Sequence, residues 1–359
     1  MPDVRSMYFG NSPILYDPEN PRNKGFLPDP KGYDFGHAPS CAINNNGRFI
    51  AVHKGSTSST LNFRQGRMER LDLIFTDKRD MGSVGDGNNP TVAFNDDNVA
   101  ILMADNSSKI RYAVATVDIN ARANPPFRFT DFPQDSSTDP SVALNKNGTV
   151  IEVHQTGGDG IAYRRGKLSG TTLTWSAVAP LIVKGRRPSV SINNKGDVVV
   201  VCEAADGLRY KTGTFDPAKN GVNDTITFTS GTTQYQTGGQ RPGVAVTDAG
   251  EVFTVHDDGS TAFQMVGTLA NGAITFADFL VPNRRAYAFD SGFEADISTN
   301  GQVAMQVHYR STGNNTLFAN ASLIFDRANW MGDNRKALGE KTLRRIAVPG
   351  SHDAGAFAV

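Results

Sequence analysis

Residues 140–154 read PSVALNKNGTVIEVH, a fifteen-residue string that returns along the chain and decides the fold. Near-copies are PSCAINNNGRFIAVH from Pro39, PTVAFNDDNVAILMA from Pro90, PSVSINNKGDVVVVC from Pro188 and PGVAVTDAGEVFTVH from Pro242. A degraded sixth, EADISTNGQVAMQVH, starts at Glu294. Starting positions 39, 90, 140, 188, 242 and 294 are 51, 50, 48, 54 and 52 residues apart. Such regularity marks one supersecondary unit stacked against its own copies.

Within a copy, the alternating run Val142, Ala143, Leu144 leads to an Asn-rich turn ending at Gly148, then to the apolar run Val150 to Val153. Period-two alternation on either side of a turn predicts a β-hairpin. A third run follows, as in LNFRQG, IRYAVA, IAYRRG, LRYKTG and AFQMVG, each with an aromatic: Phe63, Tyr112, Tyr163, Tyr210 or Phe263. A fourth, around Trp175 or Phe276, completes a four-stranded antiparallel unit. One such sheet cannot bury both faces, whereas blades set around an axis cover one another and expose only short edges.

The expected fold is therefore all-β: a six-bladed β-propeller of four-stranded antiparallel blades over residues 1–326, with a short C-terminal tail, 327–359. Residues 1–35 are expected to close the ring, with Tyr8 to Leu27 completing the last blade, because pairing the ends stops terminal blades from fraying.

In an antiparallel blade the start of the first strand and the end of the second share one face of the disc. Four copies end the second strand in His: His53, His154, His256 and His308. Around those positions the face gathers Arg187, Arg241, Glu203, Glu294, Asp105 and Asp257, a mixed set of donors and acceptors. Such a set suits a neutral polyol, with Tyr163 and Tyr210 offering an aromatic surface to a sugar ring. Repetition would then supply several weak sites and avidity. The bland alternative makes each His a strut for its own loop and each aromatic part of the core.

Lys plus Arg and Asp plus Glu both number 36, so no field of one sign draws the chain to nucleic acid. No run reaches the ~18 apolar residues of a membrane span, and the start lacks a signal-peptide core. A cytoplasmic location, or release without a recognisable signal, is expected. Cys41 and Cys202 fall on opposite sides of the ring, so no disulfide is expected. Turns such as NKNG lack calcium-loop spacing, and imidazoles spread around a ring lie too far apart for ~2 Å metal bonds. No cofactor and no metal are expected. The sequence sets no oligomeric state.

Two resemblances add to this reading. PSVALNKNGTVIEVHQ and IAYRRG look like repeats of lectin-like propellers of bacteria and fungi, which implies glycans or glycoconjugates as partners. In the tail, Leu343 to Val348 as a strand, followed by PGSHDAG at 349–355, resembles the opening of the X region of phosphatidylinositol-specific phospholipases C. The resemblance implies His352 as general base of a phosphoric diester hydrolase acting in lipid metabolism. Such an enzyme also needs a second His, an Arg and a barrel of typically ~250 residues. None follows Val359, so this chain is expected to be inactive as a phospholipase. A protein-interaction scaffold is the remaining alternative.

Overall fold

A computed structural model describes residues 5–9, 12–16, 31–55, 58–69, 72–75, 79–80, 86–107, 109–118, 127–132, 137–219, 221–258, 262–276, 281–283, 293–297, 303–311 and 317–326. They form a β-propeller. The inner strand of each repeat is Lys31–Ile43, Asn88–Phe94, Ser137–Leu144, Arg186–Ile192, Gln240–Val246 or Phe293–Ile297. These pack against one another in a closed circuit, with Phe293–Ile297 returning to Lys31–Ile43. No helix among the described residues is long and apolar enough to cross a membrane.

Both faces of each sheet are covered, and the sequence shows it. Val198 to Val201 is an unbroken apolar run in a second strand, so a period of two sends alternate residues to opposite faces. Val198 and Val200 join a cluster with Ile151 and Val153 of repeat three. Val199 and Val201 join Val244 and Val252 of repeat five. Fully burying one such side chain is worth about 1.5–3 kcal/mol. The core therefore lies between sheets. Aromatics from the outer strands complete it: a Cβ added to Gly213 would lie 2.6 Å from the Phe228 ring and one at Gly166 2.8 Å from Trp175.

Asparagine explains the turns. Asn44 Oδ1 accepts the N–H groups of Asn46 and Arg48, each at 3.0 Å, and Asn145 Oδ1 accepts those of Asn147 and Thr149 at 3.0 Å. The amide nitrogen works outward: Asn44 Nδ2 donates to the Asn95 carbonyl at 3.1 Å and Asn193 Nδ2 to that of Thr247 at 2.9 Å, each in the next repeat. The turn closes on a positive φ, 76° at Gly148, and Asn98 takes the position in repeat two at 60°.

The expected six separate blades are corrected to five. Four sheets hold four, five, five and five strands; the fifth holds eight, because copies six and one are joined. Lys31–Ile43 is continuous: Lys31 to Phe35 pairs with Phe318 to Ala321, and Gly36 to Ile43 pairs with Phe49 to Gly55. Part of the expected closure by residues 1–35 is present, since Lys31 to Phe35 pairs with Phe318 to Ala321 of the last copy. Arg5–Phe9 and Ser12–Tyr16 pair with each other in a sheet of their own, and residues 17–30 lie outside the described set. The outer strand of several repeats comes in two pieces, such as Thr172–Trp175 and Ala179–Ile182, both on Ile161–Ser169.

The repeated imidazoles belong to this core. His53, His154 and His256 are at most 1% exposed, so direct ligand contact, expected from sequence, is corrected to a buried position. His154 Nδ1 lies 2.8 Å from Glu152 Oε1, itself buried. The Arg164 guanidinium lies 3.6 Å from the same carboxylate and stacks on Phe132 at 4.0 Å. Burial pushes His256 down to about 4, against the opposing pull of Asp257 and Asp258. Cys41 and Cys202 are buried free thiols, and burial pushes Cys202 up to about 12.

Asn44→Ala removes the one acceptor of two turn N–H groups and one inter-repeat donor, and is expected to cost about 1–3 kcal/mol in urea unfolding; a cost below about 0.5 kcal/mol contradicts this. His256 takes up its proton far more readily unfolded than folded. Its contribution to stability therefore falls as pH drops from about 6.5 towards 4 and levels off below. Across that window wild type should lose on the order of 3 kcal/mol relative to His256→Gln. A difference that does not change with pH between 7 and 4 refutes it.

Candidate functional site

Each of the five proline-led inner strands begins with the same irregularity. Register shifts lie between His37 and Ser40, Asn88 and Thr91, Thr138 and Ser141, Arg186 and Ser189, and Gln240 and Gly243. At each of these bulges the residue ahead of the proline has a positive φ: 49° at Ala38, 43° at Asn89, 49° at Asp139, 46° at Arg187 and 52° at Arg241. A left-handed residue other than glycine costs roughly 1–2 kcal/mol, and the proline behind it disfavours the right-handed helical alternative.

A bulge re-aims a side chain, and here it brings the pre-proline residue against the residue just past the second-strand position that holds His256 in repeat five but Ala104 in repeat two and Cys202 in repeat four. Arg187 Nη1 donates to Glu203 Oε1 at 3.0 Å. Arg241 grips Asp257 with two bonds, Nε to Oδ2 at 2.7 Å and Nη2 to Oδ1 at 2.6 Å. Asn89 Nδ2 donates to Asp105 Oδ2 at 3.1 Å.

Asp105 and Glu203, with Gln155 at the same position of repeat three, also reach forward into the next repeat. Asp105 Oδ2 accepts the Asp139 N–H at 3.3 Å, Gln155 Oε1 the Arg187 N–H at 3.3 Å and Glu203 Oε1 the Arg241 N–H at 2.5 Å. Lys54 Nζ donates to Asn88 Oδ1 at 2.7 Å. The result is a polar belt linking successive repeats on one face of the ring. Burial raises the Asp139 carboxyl, Asp105 and Glu203 raise it further, and Arg187 pulls it down. Asp257 and Glu203 are buried beneath the belt, whereas the Arg187 side chain is 49% exposed.

Of the residues expected to form a site, the structure thus brings Arg187, Glu203 and Arg241 into one connected network with Asp257, and places Asp105 in the adjoining Asn89–Asp139 link. It does not bring the aromatics there. Tyr163, partly buried, packs edge-on against Phe228, and the Tyr210 hydroxyl accepts the Ile274 N–H at 3.1 Å, so neither of the rings expected to stack on a sugar joins this network. The side chains of Glu294 and His308, and the whole of His352, lie outside the described residues. Sequence reading missed Asn89 and Asp139. For Asn89 the signal is a sixteen-residue spacing from the pre-proline position to the residue just past the position of His256, Ala104 or Cys202, as in 89/105, 187/203 and 241/257.

A second feature also escaped that reading. A cleft of about 610 Å³ opens between repeats three and four, on the same face but farther from the axis, where Ala204 to Asp206 turn towards the third strand. Leu181, Val183 and Ala204 give it an apolar wall, and Lys184, Arg209 and Lys211 give it cations.

No family model matches any part of the chain, and no curated protein matches it. The phospholipase resemblance at Pro349 to Gly355 therefore gains no support from relatives. Solved structures do match. A protein of unknown function from Dyadobacter fermentans is 12% identical, with a TM-score of 0.52 over 83% of this chain and 96% of that one. The fucose-specific lectin from Aleuria aurantia is 8% identical, with a TM-score of 0.51 over 82% of this chain and 97% of the lectin. Trypanosoma rangeli sialidase, in complex with the inhibitor DANA, is 9% identical, with a TM-score of 0.53 over 90% of this chain and 59% of the sialidase. At these identities what is shared is the fold, the β-propeller.

Proposed function

We propose that this chain is a carbohydrate-binding, lectin-like propeller whose ligand is held by the polar belt. The observation that carries the reading is the Arg187–Glu203–Arg241–Asp257 network, in which two guanidinium–carboxylate pairs are joined through the Arg241 backbone N–H to Glu203. Hydroxyl groups both donate and accept, so a polyol needs both signs held at fixed spacing. The bulges and the bonds between repeats supply that fixity before a ligand arrives, which lowers the ordering cost of binding. Arg187 is the principal contact, because its side chain is half open while its carboxylate partner is buried. The buried His154 and His256 position the strand ends from below. Among propellers sharing this fold, the Aleuria aurantia protein is a fucose-specific lectin, which adds support at the level of architecture.

Several belt segments of similar chemistry imply weak single sites that gain avidity from display on one surface. A glycan array should identify ligands for the intact chain. Arg187→Ala should weaken the best of them by at least about tenfold in calorimetric titration, since a hydrogen bond to a charged group is worth ~1.5–3 kcal/mol. Its melting temperature should barely change, because the side chain is half exposed. A folded protein that binds no glycan ends the proposal, and an unchanged affinity in Arg187→Ala removes the belt as its site.

A further inference from the structure

We infer that the cleft between repeats three and four is a second binding site, one that takes the anionic group of an acidic saccharide. Lys211 carries the argument. Its residue surface is 8% exposed, and its ammonium has no hydrogen-bond or ion-pair partner among the described residues. Burial lowers its affinity for its proton, with no nearby charge working the other way. Buried cations are ordinarily paired, because removing a charge from water without compensation is expensive. An unpaired ammonium that lines a cavity can be compensated by an anion that enters it.

The neighbouring repeat shows what compensation looks like. Arg164 occupies the equivalent third-strand position in IAYRRG that Lys211 holds in LRYKTG. Opposite Arg164 across the strands stands Glu152, 3.6 Å away, and Phe132 takes the guanidinium on its face. Opposite Lys211 stands Val200. Repeat four has kept the cation and has valine in place of the carboxylate.

The rest of the cleft agrees. Arg209 is held by Asp206, at 3.1 and 2.5 Å, and by Thr232 at 3.3 Å, so its guanidinium is fixed in place. Lys184 adds a third cation, leaving three positive groups against one carboxylate already engaged by Arg209. Val183, 87% exposed, and Leu181 offer an apolar wall to the C–H face of a sugar. The volume, about 610 Å³, lies within the roughly 300–1,000 Å³ of small-molecule sites. Recognition of the anionic group stands on these residues alone; its attachment to a saccharide rests on the carbohydrate-binding reading above.

The test is calorimetric titration of the full chain with four probes: hyaluronan tetrasaccharide, chondroitin sulfate tetrasaccharide, neutral chitotetraose and inorganic sulfate. At least one acidic tetrasaccharide should bind more tightly than chitotetraose, with an affinity that falls as salt rises. The other shows whether carboxylate or sulfate is preferred. Lys211→Met should weaken that binding at least tenfold and Lys211→Arg should largely keep it. Lys211→Met should also melt no lower than wild type, since the ammonium it removes makes no hydrogen bond or ion pair among the described residues. If chitotetraose binds as well as the acidic sugars, or Lys211→Met changes nothing, the inference is overturned while the carbohydrate-binding reading stands. If no saccharide binds and only sulfate does, the acidic-saccharide inference is overturned, whereas the carbohydrate-binding reading falls only if the glycan array is also blank.

Discussion

A strand that lines the axis of a ring has a hydrogen-bonding partner on one side only, and its other edge must be satisfied without a strand beside it. Unpaired backbone N–H groups buried there would each cost on the order of 1–3 kcal/mol. This chain meets the requirement with serine. Ser40 Oγ accepts the Val92 N–H at 3.1 Å, Ser141 that of Val190 at 3.1 Å, Ser189 that of Val244 at 3.2 Å and Ser191 that of Val246 at 3.0 Å. Each bond runs from one repeat to the next. Proline, with no N–H to satisfy, occupies the position before the serine in PSCA, PSVA and PSVS. The hydroxyl of Thr91 makes no such bond among the described residues, and nothing in its surroundings accounts for the difference.

The free edge explains why repeats are glued at three levels. Asparagine side chains join the turns on one face, serine hydroxyls join the strands midway, and carboxylate or amide oxygens join the strand starts on the other face. Only the third level is adaptable. Turn and mid-strand positions need one hydrogen-bonding geometry each, whereas the pre-proline position is Ala38, Asn89, Asp139, Arg187 or Arg241 in different repeats. The fold thus holds five backbone positions at nearly the same strained φ and lets their side chains differ. Residues in such conformations persist where the surroundings over-determine them, and a binding face is one use of that constraint.

Much of the architecture was legible because each level leaves a periodic mark: proline and serine at the strand start, asparagine and glycine in the turn, valine runs between. The joining of copies six and one was not, because Lys31 to Ile43 carries no signal for changing partners at Gly36. Hydrophobic periodicity reports which face of a strand is buried, not which strand lies beside it. The histidines were visible as a repeat yet misread as surface groups. A strand end is buried or open according to what a neighbouring repeat lays across it, and His256 lies beneath Gly239 and Tyr235 of the preceding loop and strand. Lys211 was invisible for a related reason: a lysine in a strand reads as solvated until Val200 is seen opposite it.

If bonds between repeats make the ring one cooperative unit, the amides of Val92, Val190, Val244 and Val246 should open together, although they lie in three different sheets. Native-state hydrogen exchange at increasing denaturant measures this directly. The account predicts that all four converge on one opening free energy, that of global unfolding. Opening energies that differ by several kcal/mol from sheet to sheet, with no convergence, would contradict it.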